Sequence, residues 1–179
     1  MKRLLEINSA KDIPPVYRET PIGRLLEYHN LGRPIDRCEK AEILIGMCMD
    51  NRKQLRIPRN FAYVIRTGGA NLTNHDFLVS FAIAVGGIRY IVITAHNHCG
   101  MANLDPNKKQ FIHGLVNNGG WDKIAAEQHY SDNAPVFAIE NEIEFALSQA
   151  QKLHTLYPKV VVAPMLYNVD DNRLYLIDE

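Results

Sequence analysis

From Ala41 onward the chain alternates short unbroken apolar runs with longer stretches whose apolar residues recur every three or four positions. The runs "EILIGM" (42–47), "AYVIR" (62–66), "YIVITA" (90–95) and "VVVAPMLY" (160–167) are continuous, not alternating, which is the pattern of strands covered on both faces. Helical periodicity fills the gaps between them. In "NHDFLVSFAIAVGG" the apolar stripe is Phe77, Leu78, Phe81, Ala82 and Val85, closed by glycines. "DPNKKQFIHGLVNNGG" predicts a helix with Asp105 as N-cap and Pro106 in its first position. "NEIEFALSQAQKLHTLYP" lines up Ile143, Ala146, Leu147, Ala150, Leu153 and Leu156 on one face before Pro158 stops it. The segment "YSDNAP" (130–135) reads as a surface loop, and Trp121 as a core residue, with a place at an interface as its alternative. The ending "NVDDNRLYLID" predicts a turn and a short antiparallel edge strand. The pattern therefore predicts an α/β fold: a mainly parallel central sheet of four strands with an antiparallel edge strand, flanked by helices.

Residues 1–35 follow a different rule. Pro14, Pro15, Pro21 and Pro34 interrupt them, and only "TPIGRLLEYHN" looks helical, with Thr20 as N-cap and Pro21 in the first turn. We expect an N-terminal arm or helix that packs on its own domain or on a partner subunit, ahead of a single α/β domain spanning 36–179. A chain of 179 residues, 46% hydrophobic, suffices for one well-filled core. Lys+Arg and Asp+Glu balance at 20 each, which argues against nucleic acid or an anionic membrane as partner and in favour of a small molecule or a protein. No apolar stretch approaches the roughly 20 residues of a membrane span, and "LLEI" is too short for a secretory signal. A cytoplasmic location is expected.

Chemistry enters at "ITAHNHCGM" (93–101), where an apolar strand ends in two histidines and a cysteine. In open α/β sheets, ligands bind beyond the carboxyl ends of the strands. The strand at 42–47 runs into "CMDNR" and the strand at 90–95 into "HNHC", so if they are neighbours, Cys48, His96 and Cys99 meet at one rim. Three such ligands fit a catalytic zinc, which keeps one position open, whereas a structural zinc generally takes four. Taken singly, a strand-end cysteine reads more readily as a buried apolar side chain, and a lone histidine as a cap or surface residue. Metal-free thiol chemistry finds no support: there is no Cys-x-x-Cys, and Gln54 stands where a Cys-x₅-Arg loop needs arginine. Asp50 is a further ligand or a hydrogen-bond acceptor beside the metal, with Arg52 fixing it as a bidentate partner. A solvated turn with an incidental ion pair is the alternative for these two residues.

"ILIGMCMDNR", "AYVIRTGGAN", "ITAHNHCGM" and the segment from "NEIEF" to "RLYLI" resemble the β-class carbonic anhydrases, particularly their small prokaryotic subgroup with Cys-Met-Asp-x-Arg and His-x-x-Cys-Gly-Met. The likeness runs in order over about residues 39–177. It implies Zn²⁺ on Cys48, His96 and Cys99, with Asp50 and Arg52 as the catalytic dyad. It further implies reversible hydration of CO₂ to bicarbonate and a proton, by water activated on the metal. A homodimer or dimer-based homo-oligomer with the active site near the subunit interface is implied too, and so is a closed state in which the aspartate occupies the fourth zinc position. The chain departs from the family pattern at Asn51, at His98, in the "RTGGAN" loop, at Glu39 and at Ala163–Pro164. His98 is read as a structural hydrogen-bonding residue, with proton shuttling as its alternative. Two rival functions share the motifs: hydrolysis of carbon disulfide or carbonyl sulfide at the same site, and a non-catalytic, zinc-stabilised binding or regulatory protein.

Overall fold

The computed structural model describes residues 3–102 and 104–178. Its centre is the parallel set β2 (Ile43–Cys48), β3 (Ala62–Thr67), β4 (Tyr90–His96) and β5 (Val161–Asn168). β6 (Arg173–Asp178) runs antiparallel to β5. A sixth strand not predicted from sequence, β1 (Arg3–Leu5), pairs antiparallel with β6 from Arg3–Asp178 to Leu5–Leu176. The sheet order is β1-β6-β5-β4-β2-β3, so β6 is not the edge strand expected; β1 covers it. Three residues carry no readable periodicity, and only the free side of β6 makes them a strand.

Every residue of β2 is buried, as a strand with both faces covered requires. One face sends Ile43, Ile45 and Met47 into a cluster with Phe61, Tyr167 and the N-terminal residues Ile7, Ile13, Ile22, Leu25 and Leu26. The other sends Leu44 to join Ile91, Ile93 and Ala95 beneath Val79, Ala82, Ala146, Leu147 and Leu153. The first layer's helix is α1 (Pro21–Leu31), where Thr20 Oγ1 accepts from the N–H groups of Ile22 and Gly23 at 3.2 and 3.4 Å. Gly23 is required there, since a Cβ would stand 2.2 Å from the carbonyl oxygen of Tyr17. Opposite lie α2 (Asp76–Ala84) and α5 (Glu142–Leu156), the latter capped by Asn141. α3 (Lys108–Gly119) and α4 (Lys123–Phe137) form a hairpin beside them.

Several local expectations change. α2 turns Val79 and Ala82 inward, leaving Phe77 76% and Val85 70% exposed, with Leu78 and Phe81 half open. The helix is apolar all round, so periodicity alone could not choose the face that meets the sheet. Residues 130–135 are helix, not loop: Asp122 caps α4, and Pro135 lies near its end. Asp105 is no cap but part of a 3₁₀ turn, Asp105–Asn107, leading into α3. Trp121 is exposed and lies tilted against His129, 5.0 Å between ring centres. Leu156 also lies exposed beyond the buried stripe of α5.

The order of strands places a crossover reversal between β2 and β4: β3 lies on one side of the pair and β5 on the other. Pairing of β2 with β4 ends at Met47–Thr94, while β2 stays with β3 through Cys48–Thr67 and β4 with β5 through His96–Tyr167. The two central strands part at their carboxyl ends. Among the described residues no helix is long and apolar enough to cross a membrane.

Candidate metal centre

The split between β2 and β4 is where the donors gather. Cys48 ends β2, His96 ends β4, and Cys99 follows in the turn after it. All three are buried, and their ligand atoms lie within 4.8 Å of one another. The Cys48 and Cys99 sulfurs are 3.9 Å apart; two thiolates on one tetrahedral zinc at ~2.3 Å each stand about 3.8 Å apart. His96 Nδ1 lies 2.9 Å from the Asn97 carbonyl oxygen. A carbonyl only accepts, so Nδ1 carries the proton and Nε2 presents a bare lone pair. That Nε2 is buried and has no hydrogen-bond partner among the described residues. An orphaned imidazole nitrogen beside two sulfurs at shared-ligand distance fits Zn²⁺.

The sulfurs are prepared by their surroundings. Hydrogen bonding from the Cys99 thiol, opposed by burial and helped by the backbone N–H groups of Asp50 and Gly69, draws the Cys48 thiol down. Cys99 moves up, because it holds the proton shared with Cys48 and is buried. A dication bound between the two sulfurs would displace the remaining thiol proton. Cys99 is further placed by its N–H, which donates to Glu142 Oε1 at 3.2 Å, at the start of α5.

Asp50 lies at the edge of this set, its Oδ2 3.8 Å from His96 Nε2. Arg52 grips the carboxylate: Nη2 donates to Oδ2 at 2.7 Å, Nε to Oδ1 at 3.0 Å, and the Arg52 backbone N–H to Oδ1 at 2.9 Å. This guanidinium contact holds Asp50 down at about 2, so it is ionised at any working pH. Arg52 Nη2 also donates to the His98 carbonyl at 2.8 Å, tying the two donor loops together. The His98 imidazole is mostly exposed, 3.6 Å from Asp170; its backbone, in the left-handed region at φ 55°, is what meets the site.

Three contributors were missed from sequence. Gly69 supplies an N–H to Cys48 from the "RTGGAN" loop, where Gly69 and Ala70 both take φ near +60° (63° and 62°); the paired glycines were a visible signal. Glu142 had only its position at a helix start. Lys53, 3% exposed, donates to the Thr94 carbonyl at 2.8 Å. Burial pushes it down to about 7, opposed by the charge of Cys48, and nothing in the sequence marks it as buried. Beside the donors, Met49, Gly68, Met101, Phe111 and Phe137 line an apolar cavity of about 360 Å³.

A buried group of three residues that could hold a metal ion thus lies at the reversal point of an α/β sheet, the place where open sheets bind their ligands. The chain shares its fold with the β-carbonic anhydrases. A β-carbonic anhydrase from Trichomonas vaginalis aligns with a TM-score of 0.63 at 18% identity, covering 84% of this chain and 91% of that one. A carbonic anhydrase from Streptococcus mutans aligns at 0.58 and 20% identity, covering 88% and 95%. A carbon disulfide hydrolase in its apo form aligns at 0.52 and 18% identity, covering 83% and 82%. No family model matches the sequence, and no curated protein does.

Proposed function

We propose that the chain is a zinc-dependent carbonic anhydrase that reversibly hydrates CO₂ to bicarbonate and a proton. The observation that carries this reading is the orphaned His96 Nε2 beside two sulfurs 3.9 Å apart, with an arginine-clamped carboxylate at their edge. Cys48, His96 and Cys99 hold the metal, and the Asn97 carbonyl fixes the imidazole that serves it. Bound there, zinc supplies the Lewis acidity that makes water a nucleophile at neutral pH. Asp50, kept ionised and oriented by Arg52, accepts a hydrogen bond from the attacking water and so turns its lone pair toward CO₂. Arg52 fixes Asp50 and, through the His98 carbonyl, the spacing between the two donor loops. The test is zinc analysis and a CO₂ hydration assay on one purified sample. About one zinc per chain with hydration above buffer background is expected; full zinc without hydration from neutral to alkaline pH would refute the assignment.

The apolar cavity beside the donors favours a second reading. Its volume of about 360 Å³ and its lining by methionine and phenylalanine leave room for a larger neutral cumulene, carbon disulfide or carbonyl sulfide, attacked at the same centre. Turnover of these substrates faster than CO₂ by the same preparation would replace the first reading with this one.

The outer face of α2 and the edge strand β3 leave Tyr63, Val64, Phe77, Leu78, Phe81 and Val85 exposed together in sequence-adjacent elements. Single exposed apolar residues are ordinary, but a cluster of this kind marks an interaction surface. This supports a homodimer joined through that face. Phe81→Glu shifts the chain toward monomer in sedimentation or light scattering; a dimer indifferent to it is joined elsewhere.

A further inference from the structure

Lys53 has no place in the chemistry above, yet it is the most costly residue in the neighbourhood to bury. An ammonium group withdrawn from water loses several kcal/mol unless charge or hydrogen bonds replace its hydration. Its nearest oxygen partner is a neutral carbonyl, that of Thr94, at 2.8 Å. The face of Tyr167 lies 5.9 Å away and adds a cation–π contribution. Neither replaces a full hydration shell, so burial dominates and pushes Lys53 down, with the charge of Cys48 opposing it.

Its position in the sheet is specific. Thr94 is the last β4 residue in register with β2. Beyond it the strands part, one toward Cys48 and the other toward His96, and Tyr167 is the β5 residue opposite His96. Lys53 belongs to the loop that leaves Cys48, so its side chain returns from the β2 side and bonds to β4 at the root of the split. The next residue is anchored as well: the Gln54 N–H donates to Tyr167 Oη at 3.1 Å.

We propose that Lys53 is a positioning residue for the metal centre, bridging the fork between β2 and β4 so that Cys48 and His96 stand at ligand spacing. The inference rests on the metal reading above and adds to it a residue that touches neither metal nor substrate.

The test is zinc affinity, measured on the purified full chain by competition with a chromogenic chelator. The parent is compared with Lys53→Met, which keeps the stem and removes the donor and charge. Lys53→Met is expected to bind zinc about 10- to 100-fold more weakly, the usual effect of losing a group that orients metal ligands. A lysine that only supported the fold would lower the melting temperature of the metal-free chain and leave zinc affinity unchanged, and that result overturns the proposal. If the parent itself does not bind zinc, the metal reading fails instead, so the two failures are distinct. Should Lys53→Met not fold, the parent carrying nitrogen-labelled lysine serves: the Lys53 Nζ resonance, identified by its proximity to Tyr167, is expected to move as zinc saturates. A resonance that stays in place at saturation also overturns the proposal.

Discussion

Two histidines are buried to nearly the same degree, His29 at 6% and His96 at 0% exposure, and they are treated differently. His29 has both ring nitrogens engaged by the chain: Nδ1 accepts from the Arg56 N–H at 3.0 Å, and Nε2 lies 3.0 Å from the Asn172 carbonyl, to which it donates. His96 has one nitrogen engaged and the other bare. A buried polar atom without a partner costs about 1–3 kcal/mol, and of the three such atoms among the described residues, Thr67 Oγ1, Thr94 Oγ1 and His96 Nε2, only the imidazole nitrogen stands beside two sulfurs. His29 is complete within the chain, while His96 keeps one nitrogen open for the cation proposed above.

The largest expected effect breaks that contrast outright. His96→Ala should take bound zinc from about one per chain to none and abolish hydration, as elemental analysis and assay of the same preparation would reveal, whereas His29→Leu should keep its zinc. Loss of zinc from both, or from neither, would dissolve the distinction. Next in size, Asp50→Asn should retain zinc while lowering kcat by about 10²-fold or more, the scale of a lost proton-handling group; surviving activity would remove the carboxylate from the mechanism. His29→Leu should cost about 1–3 kcal/mol by stranding the Arg56 N–H and the Asn172 carbonyl, visible as a lower urea midpoint.

The smallest effect sharpens the comparison through pH. Burial, the leading cause, pushes the His29 pKa below its ordinary 6.5, with the positive charges of Arg56 and Arg173 adding to it and the Asn172 hydrogen bond opposing. The unfolded chain then takes up the proton first as pH falls. The stability this neutral histidine contributes is whole above about 6.5 and declines as pH drops through the folded-state value. Urea midpoints between pH 8 and pH 5 should fall, and His29→Leu should remove part of the slope; an unchanged slope would deny His29 that role.

The four parallel strands were legible because each carries an unbroken apolar run; the run marks burial on both faces in β2, whereas β3, at the sheet edge, leaves Tyr63 and Val64 exposed. The cap Thr20 was legible because a capping side chain reaches only backbone two or three residues away. The six residues 130–135 were misread because their turn-forming composition was overridden by packing of α4 on α3. β1 was invisible for a related reason: three residues pair with a strand that lies at the far end of the chain.

By itself, the sequence determined which atoms were on offer. Two sulfurs, an imidazole, a carboxylate and a guanidinium stand directly after apolar runs, and covalent spacing keeps Asp50 within reach of Arg52 wherever the loop goes. The tertiary structure alone decided that β2 and β4 are neighbours, that they part at Met47 and Thr94, and that a lysine lies buried in the fork. Donors 48 residues apart along the chain, Cys48 and His96, converge only through strand order. Strand order follows from which faces bury one another, a property of the whole core that no local stretch contains.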